Sequence, residues 1–252
     1  MKWLLPLAVL AGVLAAWDGL VRHFAVPEFI VPSPLAVWQA ANAHAGELWD
    51  ATRTTAAATL AGFGASLGLG ILIAFAFAQS SLVARSFYPY AIFLQTVPLV
   101  AIAPLIVLWS GPGFRSVVIV TTLVSIFPVI TSAVAGLTAI DRELLDLFTV
   151  YDASRWRTFW SLRLPHAVPH LVAGAQAAGG LAVVGAIAGE VFAGAGASSH
   201  GLGYLIVLTA GQLKTAYLFA AVFASTAVGL ALFGLLAWVR HGLAQRWRGN
   251  VS

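Results

Sequence analysis

The sequence contains no cysteine, which excludes disulfides, thiolate metal sites and cysteine nucleophiles. Charge is almost as scarce. Only 9% of the 252 residues are Asp, Glu, Lys or Arg, where a soluble domain carries roughly a quarter. Several chemical signatures are missing too. There is no Gly-x-x-x-x-Gly-Lys-Ser/Thr loop, and the glycine-rich stretch at 111–115 (GPGFR) does not supply one, so nucleotide is not held by that device. There is no Gly-x-Ser-x-Gly, no His-Glu-x-x-His and no pair of intramembrane carboxylates, which leaves a membrane-embedded hydrolase without machinery.

What is present is apolar. Hydrophobic residues make up 60% of the chain and the mean hydropathy is +0.92, the composition of an integral membrane protein. The net charge of +4 reflects Lys and Arg spread through loop segments, as in a membrane protein with a biased topology, and does not point to nucleic acid. Six runs reach the length of about 20 residues that a helix needs to cross a bilayer: 3–25, 53–78, 88–110, 116–139, 168–194 and 216–240. They are continuously apolar, without the period-2 alternation of a membrane barrel, so the expected fold is all-α with about six transmembrane helices in a single domain, 1–252.

The first run begins like a secretion signal, with Lys2, an apolar stretch and then Ala15 and Ala16. Its continuation to Val26 favours a retained span. Asp18 and Arg22 lie four apart and are placed to pair on one helix face. After Pro27, Pro32 and Pro34, residues Leu35–Trp49 form an amphipathic stretch, expected as a surface helix with Trp38 and Trp49 at headgroup depth. Gly64 with Gly68, and Gly185 with Gly189, have the spacing that lets helices approach closely. With the N-terminus inside, nine basic residues (Lys2, Arg85, Arg142, Arg155, Arg157, Arg163, Arg240, Arg246 and Arg248) fall on the cytoplasmic side and four (Arg22, Arg53, Arg115 and Lys214) outside. That bias places both termini in the cytoplasm.

One charged island interrupts the apolar background, Asp141–Pro165 (DRELLDLFTVYDASRWRTFWSLRLP), which the same bias makes cytoplasmic. It reads as a short helix over Arg142–Phe148, a turn at Asp152-Ala153-Ser154, and a second helix over Arg155–Leu162 that Pro165 ends. Asp152 or Ser154 is placed to cap the second helix. Trp156, Phe159 and Trp160 give that helix an apolar face, and Arg155, Arg157 and Arg163 a polar one. Such a helix either lies in the headgroups or docks in a groove on a partner. Elsewhere, Glu190 is an acid inside a span, placed for a pathway or gate or for a structural hydrogen bond. Gln95, Thr96 and Pro98 open the third span. His166 and His170 share a helix face, but no third ligand is near, so no metal site is expected.

The island resembles the cytoplasmic loop of the permease subunits of ATP-binding-cassette importers, which carries Glu-Ala-Ala, a glycine four residues on and a later Leu-Pro. The register here is Asp146-Leu147-Phe148, Asp152 and Leu164-Pro165. VPSP at 31–34, QTVPLVAIAPLIVLWSGPG at 95–113 and GLGYLI at 201–206 after Glu190 resemble the sulfonate, nitrate and taurine branch, which includes riboflavin and thiamine-precursor permeases. The resemblance implies a type I importer permease in the bacterial inner membrane, without catalytic residues or a cofactor of its own. ATP and Mg²⁺ would be bound by a separate ATPase, present in two copies. An extracytoplasmic solute-binding protein and a second permease copy, as a homodimer, would complete the assembly. It implies that Glu143, Asp146, Phe148, Asp152, Ala153, Ser154, Arg155, Trp156, Leu164 and Pro165 form the ATPase-coupling surface. It also implies that Gln95, Thr96, Pro98 and Glu190 lie along the path or its gate. Two departures stand out. Phe148 replaces the second alanine of the triplet, which alters the surface offered to the ATPase. Asp152 replaces the glycine, and because Asp tolerates left-handed backbone better than most residues, the turn is expected to survive. The competing class is a self-sufficient secondary transporter or channel, disfavoured by the lack of an internal repeat and of midplane charge.

Overall fold

Continuous apolar runs with no period-2 alternation leave the backbone one way to satisfy its polar groups in lipid, the helix. In the computed structural model, which describes residues 4–79, 82, 86, 89, 90, 93, 96–194 and 200–248, the regular elements are helical. They are α1 (Leu4–His23), α2 (Pro34–Ala43), α3 (Ala45–Gln79), α4 (Leu99–Ser110), α5 (Phe114–Thr138), α6 (Arg142–Val150), α7 (Arg155–Thr158), α8 (Leu164–Ala193), α9 (Leu202–Gly211) and α10 (Thr215–Arg248). Five helices among the described residues are long and apolar enough to span a membrane: Leu4–His23, Ala45–Gln79, Phe114–Thr138, Arg155–Ala193 and Thr215–Gly242. They match five of the six expected runs. The sixth, 88–110, lies partly outside the described residues, and its described portion contributes the 12-residue α4.

The bundle is built on α5, which packs along both α8 and α3. Alpha-carbon to side-chain approach there depends on glycine. A Cβ on Gly174 would come within 2.6 Å of Ser132, and one on Gly136 within 2.7 Å of His170. Gly185 and Gly189 face Thr121 and Val117, as the small-residue spacing predicts. The α3 pair differs from expectation. Gly64 and Gly68 have no neighbour within 4 Å, whereas Gly62 and Gly70 meet Thr121 and Val129, with Ser66 buried between them. A shift of two residues turns a helix by about 200°, so the packed face is the opposite one.

Three other expectations change. Leu35–Trp49 is not one surface helix: α2 stops at a cap on His44, and residues from Ala45 belong to the long α3. Trp38 and Trp49 are nonetheless both exposed. The helix after the island's turn does not end at Pro165. It runs through a single π-helical turn, Phe159–Arg163, into α8. Proline lacks an N–H and its ring presses on the carbonyl four residues back. The wider π turn, in which the Leu164 N–H reaches the Phe159 carbonyl, accommodates it without a break. The helix before the turn extends to Val150 rather than ending at Phe148. α1 is peripheral, with no buried residue, and is held through Trp17 against Phe219 and Phe223 of α10. The Asp18–Arg22 pair forms at 2.8 Å.

Candidate functional site

The island folds into an elbow at the end of the bundle where α3 and α5 finish and α8 starts. Helix α6 closes by two backbone bonds: the Asp152 N–H donates to Thr149 O at 3.0 Å and the Ala153 N–H to Phe148 O at 3.0 Å. This is the Schellman arrangement, whose residue beyond the cap must be left-handed and is usually glycine. Here it is Asp152, with φ of 49°, so the turn expected from the glycine position is present with aspartate in it. Two residues later Ser154 caps the next helix, its Oγ accepting the Arg157 N–H at 3.2 Å. The chain stops one helix and starts another with these backbone groups paired, which makes the elbow stiff.

The elbow is anchored from below. Phe159 is buried in a cluster with Ala74, Ala133, Leu137 and Ala167, its ring edge-on to Phe75 at 4.7 Å. Arg163 donates to the Ala78 carbonyl at 3.1 Å, putting a cation where α3 ends, the favourable end of the helix dipole. Above these anchors the residues point outward. Glu143, Asp146, Asp152, Ser154, Arg155 and Arg157 are exposed, and Phe148, Ala153, Leu164 and Pro165 are half-buried. Large apolar side chains face outward: Val150 is 79% exposed, Tyr151 77% and Trp156 62%, the last with its ring also against Phe159 and Trp160. Helix α6 buries none of its residues. An apolar and charged surface on a pinned backbone suits a partner's groove.

Glu190 sits at the other end of α8 and is buried, 3% exposed. Its Oε2 accepts two hydrogen bonds, from the Thr55 hydroxyl of α3 at 2.9 Å and from the Gly203 N–H of α9 at 2.8 Å. Thr55 Oγ1 in turn accepts the Leu202 N–H at 2.8 Å. The carboxylate therefore latches three helices together at the N-terminal end of α9, where N–H groups otherwise lack partners and negative charge is favoured. The glycines of GLGYLI make the contact possible, since a Cβ on Gly201 would overlap the Glu190 carboxylate and one on Gly203 the Ile187 carbonyl. Thr55 carries no signal in the sequence, and Gly201 and Gly203 appear there only within the GLGYLI run, with no role attached. The one visible signal of the two glycines is the Gly-x-Gly spacing behind a buried acid.

Among the described residues, the remaining sequence candidates are not gathered around either centre. Thr96 and Pro98 are exposed at the start of α4, with the Thr96 hydroxyl donating to Phe93 O at 2.8 Å. Gln95 lies outside the described residues. The rings of His166 and His170 share a face of α8, 6.5 Å apart.

Residues 66–249 match the profile of a family described as binding-protein-dependent transport system inner membrane component. Over 94% of this chain and 88% of the relative, the sequence is 32% identical to the riboflavin transport system permease protein of Chloroflexus aurantiacus. It is 30% identical to the formylaminopyrimidine transport permease protein of Halalkalibacterium halodurans, covering 94% of this chain and 92% of that one. It is 25% identical to the taurine transport system permease protein of Escherichia coli, over 100% of this chain and 95% of the relative.

Proposed function

Because this chain belongs to the family of binding-protein-dependent transport system inner membrane components, we propose that it forms the translocation path of an ATP-driven importer and that the elbow at 141–165 receives a separate ATPase subunit. Family and composition make it a multi-pass ABC transporter permease. The finer reading adds two ATPase copies that bind ATP and Mg²⁺, a second copy of this permease, and an extracytoplasmic protein that delivers a small organic solute.

The elbow carries this reading. Its backbone is closed by paired hydrogen bonds while Tyr151 and Trp156 keep most of their surface exposed, which suits a surface offered to a partner. Orientation follows the charge: Arg142, Arg155, Arg157, Arg163 and Arg240 belong to the elbow end of the bundle, and Arg22, Arg53, Arg115 and Lys214 to the opposite end. The positive-inside tendency puts the elbow and both termini in the cytoplasm, where ATP is. Glu143, Asp146, Asp152, Ala153, Ser154, Arg155 and Trp156 then form the contact surface, with Phe148, Leu164 and Pro165 supporting it. Thr96, Pro98 and Gln95 remain pathway candidates on the inner half of the third span. The two donors on Glu190 support a latch at the outer end more than a side chain facing solute. ATP binding would shift the bundle between inward- and outward-open states only through contacts that differ between them.

The test is affinity purification of the tagged chain from its native membrane in detergent, with ATP hydrolysis measured in the eluate. The wild type should bring down a soluble ATPase, and a Tyr151→Asp/Trp156→Asp variant should lose it while eluting as a folded protein. Recovery of the chain alone, moving solute in ATP-free vesicles, would overturn the reading.

A further inference from the structure

At the end of the bundle opposite the elbow lies a cleft whose chemistry neither the latch nor the elbow uses. Its volume is about 1020 Å³, and Glu47, Asp50 and Arg53 of α3, Phe114 of α5, and His200 and Tyr204 line it. Successive steps of three residues keep Glu47, Asp50 and Arg53 on neighbouring positions of one helix wall. The opposite wall is aromatic. The His200 and Tyr204 rings stack with centroids 4.3 Å apart and planes 28° from parallel, and Phe114 is 47% exposed.

This wall is held in position. Tyr204 follows Gly203, whose N–H is fixed on Glu190. The Tyr204 side chain also occupies the space beside Gly194, where a Cβ would come within 2.6 Å of it. The latch thus sets the register of the stacked rings against α3. The charges in the cleft are not consumed by one another: among the described residues the salt bridge is Asp18–Arg22, so neither Asp50 nor Arg53 is tied into one.

Two carboxylates and one guanidinium give the cleft a formal excess of negative charge. A sulfonate would meet one Arg and two like charges. A planar ring bearing N–H or amino groups would meet a stacking surface and carboxylate acceptors, and the volume is at the upper end of that of small-molecule sites. We propose that this cleft is a solute-recognition site within the permease itself, selective for planar heteroaromatic solutes with hydrogen-donating ring groups. Tyr204 and His200 form the stacking platform, and Asp50 accepts from the ring substituents. The inference rests on the importer reading and deepens it by choosing a solute class.

The test is saturation-transfer-difference NMR on the purified wild-type chain with three probes: riboflavin, formylaminopyrimidine and taurine. Ring protons of at least one heterocycle should receive saturation and the taurine methylenes should not. Tyr204→Ala should weaken heterocycle binding about fivefold, a stacking contribution. Asp50→Asn, a surface change that disturbs no packing, should weaken it about tenfold, the effect of a charge-assisted hydrogen bond. Absence of heterocycle transfer, equal transfer to taurine, or binding unchanged in both variants overturns the proposal. A chain that recovers its ATPase yet fails here refutes this site alone, whereas loss of ATPase recovery refutes the importer reading beneath it.

Discussion

Glu190 and the elbow both carry charge against an apolar background, and the chain builds them in opposite ways. At Glu190 a single carboxylate is withdrawn from solvent and given partners on two other helices, with glycines clearing the room it needs. At the elbow, four acids and three arginines are left in water, while the backbone caps, Phe159 and the Arg163–Ala78 bond hold the shape. The first arrangement spends its polarity on holding the bundle together. The second holds its own shape and reserves its side chains. Substitutions should therefore cost stability at one end and association at the other.

The largest loss is expected from Gly203→Ala, which places a methyl group against the Ile187 carbonyl and breaks the register of α9. Overpacking of this kind costs about 3 kcal/mol, and thermal unfolding of the detergent-solubilised chain should show it as an early transition. Glu190→Ala comes next. It leaves the Thr55 hydroxyl and the Gly203 N–H buried without their acceptor, a loss of about 2 kcal/mol by the same measurement. A melting curve identical to wild type would dissolve the latch. Asp152→Val puts a β-branched residue at φ 49° and should cost about 1–2 kcal/mol, while Asp152→Gly should leave the melt unchanged or slightly raised. The smallest effect on stability belongs to Trp156→Ala, within about 0.5 kcal/mol for so exposed a side chain, yet the same variant should lose the ATPase in co-purification. If Trp156→Ala destabilised as much as Glu190→Ala, the contrast between the two ends would fall.

How much of this could be seen in the sequence depends on the range of the interaction. The spans were legible because a helix in lipid announces itself through an unbroken apolar run. The elbow was legible because its capping residues are neighbours: Asp152 at a left-handed position and Ser154 at an N-cap are decided within a few residues. Glu190 was visible as an anomaly, but its partner Thr55 is 135 residues away, and nothing in a linear reading brings the two together. The packed face of α3 was missed for a related reason. Gly62, Gly64, Gly68 and Gly70 all offer small-residue spacings, and only the position of α5 selects the first and last. Pro165 misled because proline usually ends a helix, whereas one added residue in the preceding turn lets this helix continue.

That π turn has a mechanical consequence. Because it keeps Arg155–Ala193 continuous, the 39 residues form one strut of about 58 Å at about 1.5 Å per residue. Trp156 stands near one tip and Glu190 near the other. A rigid tilt of about 5° about one tip carries the other through about 5 Å, on the order of a full helical turn. Had the helix ended at Pro165, the elbow would hang from a joint and its movements would dissipate there. With the joint removed, whatever grips the exposed aromatics holds one end of a lever whose other end reaches the latch.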